Sequence, residues 1–114
     1  DLNNDGKKEI VYTASDNQQK YKGTLEIFNS ELERLHFVED AFVQFINDID
    51  SDGVNEIIAK DDTRVIIMDE ELNERYTYDT NHLIDSCIVS DIDRDGINDI
   101  LVFARSRLFC LTME

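Results

Sequence analysis

The sequence predicts an all-β chain built from repeated four-stranded antiparallel sheets. Two observations support this prediction. A nine-residue acidic motif begins at Asp1, Asp48 and Asp91, which are 47 and 43 residues apart, and a period of about 40–50 residues is typical of β-propeller blades or helical arrays. Between the motifs lie short β-branched runs bounded by Asn, Asp, Ser and Gly, which favour strands. We therefore expect two and a half propeller blades, a fragment of a larger β-propeller, with repeats at approximately 1–40, 41–80 and 81–114.

Each repeat is expected to contain four strands, with the acidic loop joining the first strand to the second. The ten predicted strands, in chain order, are residues 9–13, 24–28, 34–38, 42–46, 56–59, 64–68, 75–78, 86–90, 99–103 and 107–111. The first repeat lacks its first strand and the last repeat lacks its fourth. Open edge strands pair readily with other strands, so we expect neighbouring blades or another copy of the chain as partners.

The second acidic loop, DIDSDGVNEIIA, has the composition of a calcium site. Asp48, Asp50 and Asp52 alternate, so their carboxylates can converge on one centre, where they repel one another unless a cation lies between them. The carbonyl of Val54 and the carboxylate of Glu56 complete a set of oxygen ligands, which Ca²⁺ prefers. The loops contain no His or Cys, which disfavours zinc and copper, and Mg²⁺ usually retains more of its waters.

The other two loops repeat this ligand pattern. The predicted ligands of the third loop are Asp91, Asp93, Asp95, the carbonyl of Ile97, and Asp99. Those of the first loop are Asp1, Asn3, Asp5, the carbonyl of Lys7, and Glu9. The first loop has one carboxylate fewer and also carries two lysines. We therefore expect up to three Ca²⁺ ions, with the first site the weakest.

Two other interpretations of the loops are less favourable. An EF-hand loop opens with the same pattern but needs an acid at its twelfth position, where this chain has Tyr12, Ala59 and Val102. The acid lies instead at the ninth position, directly before a β-branched run. A solvated hairpin turn also uses Asn, Asp and Gly, but turn chemistry alone does not explain the same nine-residue pattern three times.

The segments DIDSDGVNEIIA and DIDRDGINDILV resemble the calcium loops of FG-GAP (VCBS-type) repeats, which occur in the integrin-α propeller and in many bacterial surface and secreted proteins. The resemblance extends over the whole chain as two and a half repeats. It implies that each loop joins the first two strands of a blade and binds Ca²⁺ structurally. It also implies an extracellular, cell-surface or periplasmic protein with a binding, adhesion or scaffold role toward a protein or carbohydrate ligand.

The charge of the chain excludes some partners. The formal net charge is −15, with 26 acidic and 11 basic residues, which argues against nucleic acids and anionic membranes. No apolar run is long enough to span a bilayer, so we expect no membrane insertion. The three loops contain eleven of the acids, and three bound Ca²⁺ ions would leave a formal charge of −9.

No catalytic residue is predicted. The sequence has no nucleophile elbow, zinc-protease, phosphate-loop or dinucleotide motif, and His36 and His82 fit packing roles. Cys87 and Cys110 are expected to lie two strands apart, which is too far for a disulfide. We therefore expect two free and mostly buried thiols. The alternative to a binding module is a blade segment of a polysaccharide lyase or hydrolase, whose active residues would come from several blades.

Tyr76 and Tyr78 alternate on one predicted strand. They could form a stacking platform for a sugar or a peptide. Packing against the neighbouring blade is the more common use of alternating aromatic residues in a strand.

Overall fold

The computed structural model describes residues 2, 6–15 and 23–111 of the chain, and these residues form ten β-strands. The strands are β1 (Ile10–Ser15), β2 (Gly23–Phe28), β3 (Arg34–Glu39), β4 (Phe42–Asn47), β5 (Glu56–Lys60), β6 (Arg64–Met68), β7 (Glu74–Asp79), β8 (Ile84–Ser90), β9 (Asp99–Ala104) and β10 (Arg107–Leu111). All ten predicted strands are confirmed, with ends that differ by at most two residues.

The strands form three antiparallel sheets in which each strand pairs with its neighbours in the chain. The sheets have the orders β1-β2-β3, β4-β5-β6-β7 and β8-β9-β10. The middle sheet therefore has the four strands expected of a complete repeat. The loop at residues 48–55 connects β4 to β5, and the loop at residues 91–98 connects β8 to β9. Both loops thus join the first and second strands of their sheets, as predicted.

The centre of the middle sheet, β5 and β6, is buried on both faces because this sheet packs between the other two. Alternate residues of a strand point to opposite faces, so the two central strands, β5 and β6, contribute to both cores, whereas β7 is exposed along its length. One core joins it to the first sheet and contains the buried residues Leu25, Ile27, Ile57, Ala59, Ile66 and Met68. The other joins it to the third sheet and contains Ile58, Val65, Ile67, Ile84, Cys87, Ile100, Val102 and Ala104. The first strand of the middle sheet, β4, lies against β1 and β2 of the first sheet and against β8 of the third sheet.

Two β-bulges occupy matching places in the first and middle sheets. In the β2–β3 pair, Ile27 is opposite His36 and Phe28 is opposite Arg34, which leaves Leu35 as the extra residue. In the β6–β7 pair, Ile67 is opposite Tyr76 and Met68 is opposite Glu74, which leaves Arg75 as the extra residue. A bulge redirects the side chain of its extra residue, so Leu35 and Arg75 occupy equivalent and specially oriented positions.

The cysteines lie where the strand assignment predicts, on β8 and β10 with β9 between them, and both are free. Cys87 is buried, but Cys110 is exposed, so the expectation of a mostly buried thiol is wrong for Cys110. The reason is the alternation along β10. Phe109 and Leu111 pack against the core, whereas Cys110 shares the opposite face with the exposed Leu108.

The predicted aromatic packing is seen for one of the two tyrosines. The ring of Tyr78 lies 6.1 Å from that of Phe109 in the third sheet, although both Tyr78 and Tyr76 remain exposed. His82 stacks on the same Phe109 ring at 6.4 Å, in agreement with a packing role. Within the part of the chain that the structure describes, no helix has the length and apolar character needed to cross a membrane.

Candidate metal sites

The second and third loops have the same backbone conformation. Gly53 and Gly96, the sixth residues of their loops, have φ values of 88° and 87°. Residues with a Cβ atom rarely adopt such φ values, which explains why both positions are occupied by glycine. The fourth residues, Ser51 and Arg94, also have positive φ, at 61° and 59°. Two left-handed residues in one short loop fold its backbone back on itself and turn alternate side chains toward a common centre.

Backbone N–H groups donate hydrogen bonds to the first acid of the second loop and of the third loop. In the second loop, Asp48 accepts hydrogen bonds from Asp52 N at 3.1 Å and from Gly53 N at 2.8 Å. In the third loop, Asp91 accepts from Asp95 N at 3.1 Å and from Gly96 N at 2.9 Å. The two loops therefore share one internal hydrogen-bond pattern.

The acid at the ninth position closes all three loops. Glu56 Oε2 accepts a hydrogen bond from Ile49 N at 2.8 Å, and Asp99 Oδ2 accepts one from Ile92 N at 3.1 Å. Glu9 Oε2 accepts one from Leu2 N at 2.9 Å. The first loop thus repeats the closure of the other two, although its Asp1, Asn3 and Asp5 lie outside the described residues.

Carboxylates converge in two of the loops. One oxygen from each of Asp48, Asp50, Asp52 and Glu56 lies within 4.8 Å of the others, and the same holds for Asp91, Asp93 and Asp99. Seven of the predicted acidic ligands are therefore brought together, whereas Asp95 stays outside its cluster. The carbonyls of Lys7, Val54 and Ile97 remain predicted ligands.

Glu56 provides the observation that distinguishes the second cluster from an ordinary acidic turn. Its side chain is only 2% exposed, and its Oε1 atom is buried without a hydrogen-bond donor. Leaving a buried charged oxygen without such a partner is costly. A cation among the four carboxylates would satisfy this oxygen, and each carboxylate oxygen that accepts one N–H group keeps a lone pair for a metal. The residues therefore fit Ca²⁺.

The carboxylates of the clusters perturb one another's pKa values. Burial raises the pKa of Glu56, and the charges of Asp50, Asp52 and Asp48 raise it further. Desolvation likewise raises the pKa of Asp50 and of Asp93. The Val54 N–H group instead lowers the pKa of Asp52. Carboxylates with raised pKa values are ionised at a cost that a bound cation would offset.

Two contacts near the loops had no role in the sequence interpretation. The Arg75 guanidinium lies 3.6 Å from Glu56 Oε1, and only the strand register, which places it at a bulge, could have indicated this. Asn98 Nδ2 donates to Asn47 Oδ1 at 2.9 Å, which connects the end of the third loop to the last residue of β4. The third loop is therefore joined to the strand that leads into the second loop.

Comparison with protein-family models, curated proteins and solved structures finds no match to this chain.

Proposed function

We propose that this chain is a calcium-binding β-repeat module in which the ion has a structural role. Each ion is bound in the loop between the first and second strands of a sheet, where it neutralises the converging carboxylates and fixes the bend. The observation that carries the proposal is Glu56 Oε1, a buried carboxylate oxygen without a hydrogen-bond donor among three other carboxylates. The residues of the loop supply only oxygen ligands, which suits Ca²⁺ better than softer metals.

We further propose that the three sheets are blades of a β-propeller of the FG-GAP (VCBS) type. The consecutive antiparallel order of the strands and the packing of the middle sheet on both faces support this. Propellers arrange four-stranded sheets around an axis, so that each blade contacts its neighbours. In this arrangement, calcium binding and the bond between Asn47 and Asn98 hold adjacent blades in a fixed relation.

The proposed role is a binding, adhesion or scaffold module on a secreted, surface or periplasmic protein. Calcium sites of extracellular modules have dissociation constants of about 10⁻⁴–10⁻³ M, so they fill where calcium is abundant. The ligand is proposed only at the level of a protein or a carbohydrate. Neighbouring blades or a second copy of the chain would cover the exposed apolar residues of the outer sheets, such as Tyr12, Phe37 and Leu108.

Calorimetric titration with CaCl₂ and with MgCl₂, paired with thermal melting in calcium and in EDTA, tests the proposal. We expect Ca²⁺ to bind at two or more sites and to raise the melting temperature, with Mg²⁺ weaker in both measurements. Absence of binding heat together with identical melting curves in calcium and EDTA would refute it.

A further inference from the structure

The only basic side chain that forms an ion pair with the second cluster, within residues 2, 6–15 and 23–111, is that of Arg75. Its Nη1 atom lies 3.6 Å from Glu56 Oε1, the same buried oxygen that has no hydrogen-bond donor. Its charge also favours the ionised forms of Asp50 and Asp52. The guanidinium thus supplies part of the positive charge that a metal ion would supply.

A β-bulge places Arg75 beside Glu56. Arg75 is the extra residue of the bulge between β6 and β7. The equivalent residue of the first sheet is Leu35, the extra residue between β2 and β3. Leu35 borders the same surface cavity as Glu9, the ninth residue of the first loop. The bulge residue thus forms an ion pair with the closing acid in the middle sheet and borders a cavity with it in the first sheet, and only in the middle sheet is that residue charged.

We propose that Arg75 sets the calcium affinity of the second loop by acting as an internal cation that competes with the ion for Glu56. In the metal-free protein, Arg75 stabilises the ionised cluster and keeps the loop folded. Binding of Ca²⁺ through Glu56 Oε1 places a divalent charge beside the Arg75 guanidinium, and the repulsion between the two cations weakens both contacts with this oxygen. This inference rests on the proposed calcium binding and adds a residue that tunes it.

The expected size of the effect follows from the exposure of the pair. The side chain of Arg75 is 41% exposed, and partly exposed ion pairs change equilibrium constants by a factor of up to about five. Because Arg75 opposes a divalent ion, we expect removal of its charge to tighten calcium binding at the second loop about threefold to tenfold.

The test compares the wild-type chain with Arg75→Leu, which introduces the residue that the first sheet has at this position. Arg34→Leu is the matched control. It removes the same charge from an exposed strand arginine whose ion pair is with Glu26, outside the loops. Calcium affinity is measured by calorimetry, and melting temperatures are measured in EDTA and in calcium. Arg75→Gln serves as a second variant if Arg75→Leu does not fold.

We expect Arg75→Leu to bind calcium more tightly at one site and to melt at a lower temperature in EDTA, so that the calcium-induced rise in melting temperature grows. Arg34→Leu should leave the affinity within about twofold of wild type. Unchanged or weaker binding in Arg75→Leu or Arg75→Gln, alongside normal binding by the wild type, would overturn the role of Arg75 alone. A wild-type chain that binds no calcium would overturn the proposed function as well.

A measurement on the wild-type protein is independent of variant folding. The Nε–H signal of Arg75 in a nitrogen-15 NMR spectrum should shift on addition of calcium, because the ion weakens the contact of the guanidinium with Glu56. The signal of Arg34 should remain in place. If calcium binds and the Arg75 signal does not move, the competition does not exist.

Discussion

Replacing Glu56 by glutamine separates the metal-binding role of this side chain from its structural role. The Glu56 Oε2 atom accepts a hydrogen bond from Ile49 N at 2.8 Å, and the amide oxygen of glutamine can accept the same bond. The substitution therefore preserves the size of the buried side chain and the closure of the loop. It removes the negative charge that lies among Asp48, Asp50 and Asp52.

We expect Glu56→Gln to change the stability of the protein in opposite directions in EDTA and in calcium. In EDTA, Glu56→Gln removes a buried charged oxygen without a hydrogen-bond donor, a feature that costs about 1–3 kcal/mol. Part of this cost is offset by Arg75, so we expect the metal-free variant to be as stable as wild type or about 1 kcal/mol more stable. In about 10 mM calcium, a site with a dissociation constant of 10⁻⁴–10⁻³ M contributes about 1.4–2.7 kcal/mol. The variant should lose that contribution.

Thermal melting reports both effects. For a domain of this size, 1 kcal/mol corresponds to roughly 4 °C in melting temperature. The variant should therefore melt several degrees below wild type in calcium and at or slightly above wild type in EDTA. Glu39→Gln is the control, because Glu39 is exposed and pairs with Thr24 at the end of β3 that is remote from the loops. A Glu56→Gln protein that keeps the full calcium-induced rise would refute the assignment of Glu56 as a ligand.

Three further predictions concern the core, the pH dependence and the thiols. Ile58→Ala, in the core between the middle and third sheets, should lower the free energy of unfolding, measured in urea, by about 2–5 kcal/mol. Ile88→Ala, at a 40% exposed residue, should lower it by less than about 1 kcal/mol. Equal losses would contradict the described packing. Because burial raises the pKa of Glu56, the stability that this group contributes to the metal-free protein is present below its ordinary pKa and is lost as the pH rises through the raised value. Protons thus compete with calcium, and the calcium-induced rise in melting temperature should be smaller at pH 5 than at pH 7; an equal rise at both pH values would argue against Glu56 as a ligand. Burial raises the pKa of Cys87 to about 11. A thiol reagent at pH 8 should therefore modify the exposed Cys110 at least tenfold faster than Cys87. Equal rates would show that β8 is more accessible than described.

The sequence was sufficient to predict the strands and the position of the loops because both depend on local patterns. The acid at the ninth position, directly before a β-branched run, separated these loops from EF-hands and located the starts of β5 and β9. The sixth residue of the same motif is glycine, and Gly53 and Gly96 adopt the left-handed conformation there.

Other features depend on neighbouring sheets and could not be predicted from the motif. The exposure of Cys110 depends on which face of β10 the core covers. The approach of Arg75 to Glu56 depends on a bulge, which only the register of β6 and β7 reveals. The bond between Asn98 and Asn47 joins residues 51 positions apart, and nothing in either loop alone indicates it.

A crystal structure of the protein grown in calcium tests the central claim most directly, because it locates the ion. We predict an ion in the second loop with six to eight oxygen ligands at about 2.3–2.6 Å, including Glu56 Oε1, and a matching ion beside Asp91, Asp93 and Asp99. An ordered second loop that contains only water among its carboxylates, at calcium concentrations well above 10⁻³ M, would contradict the account.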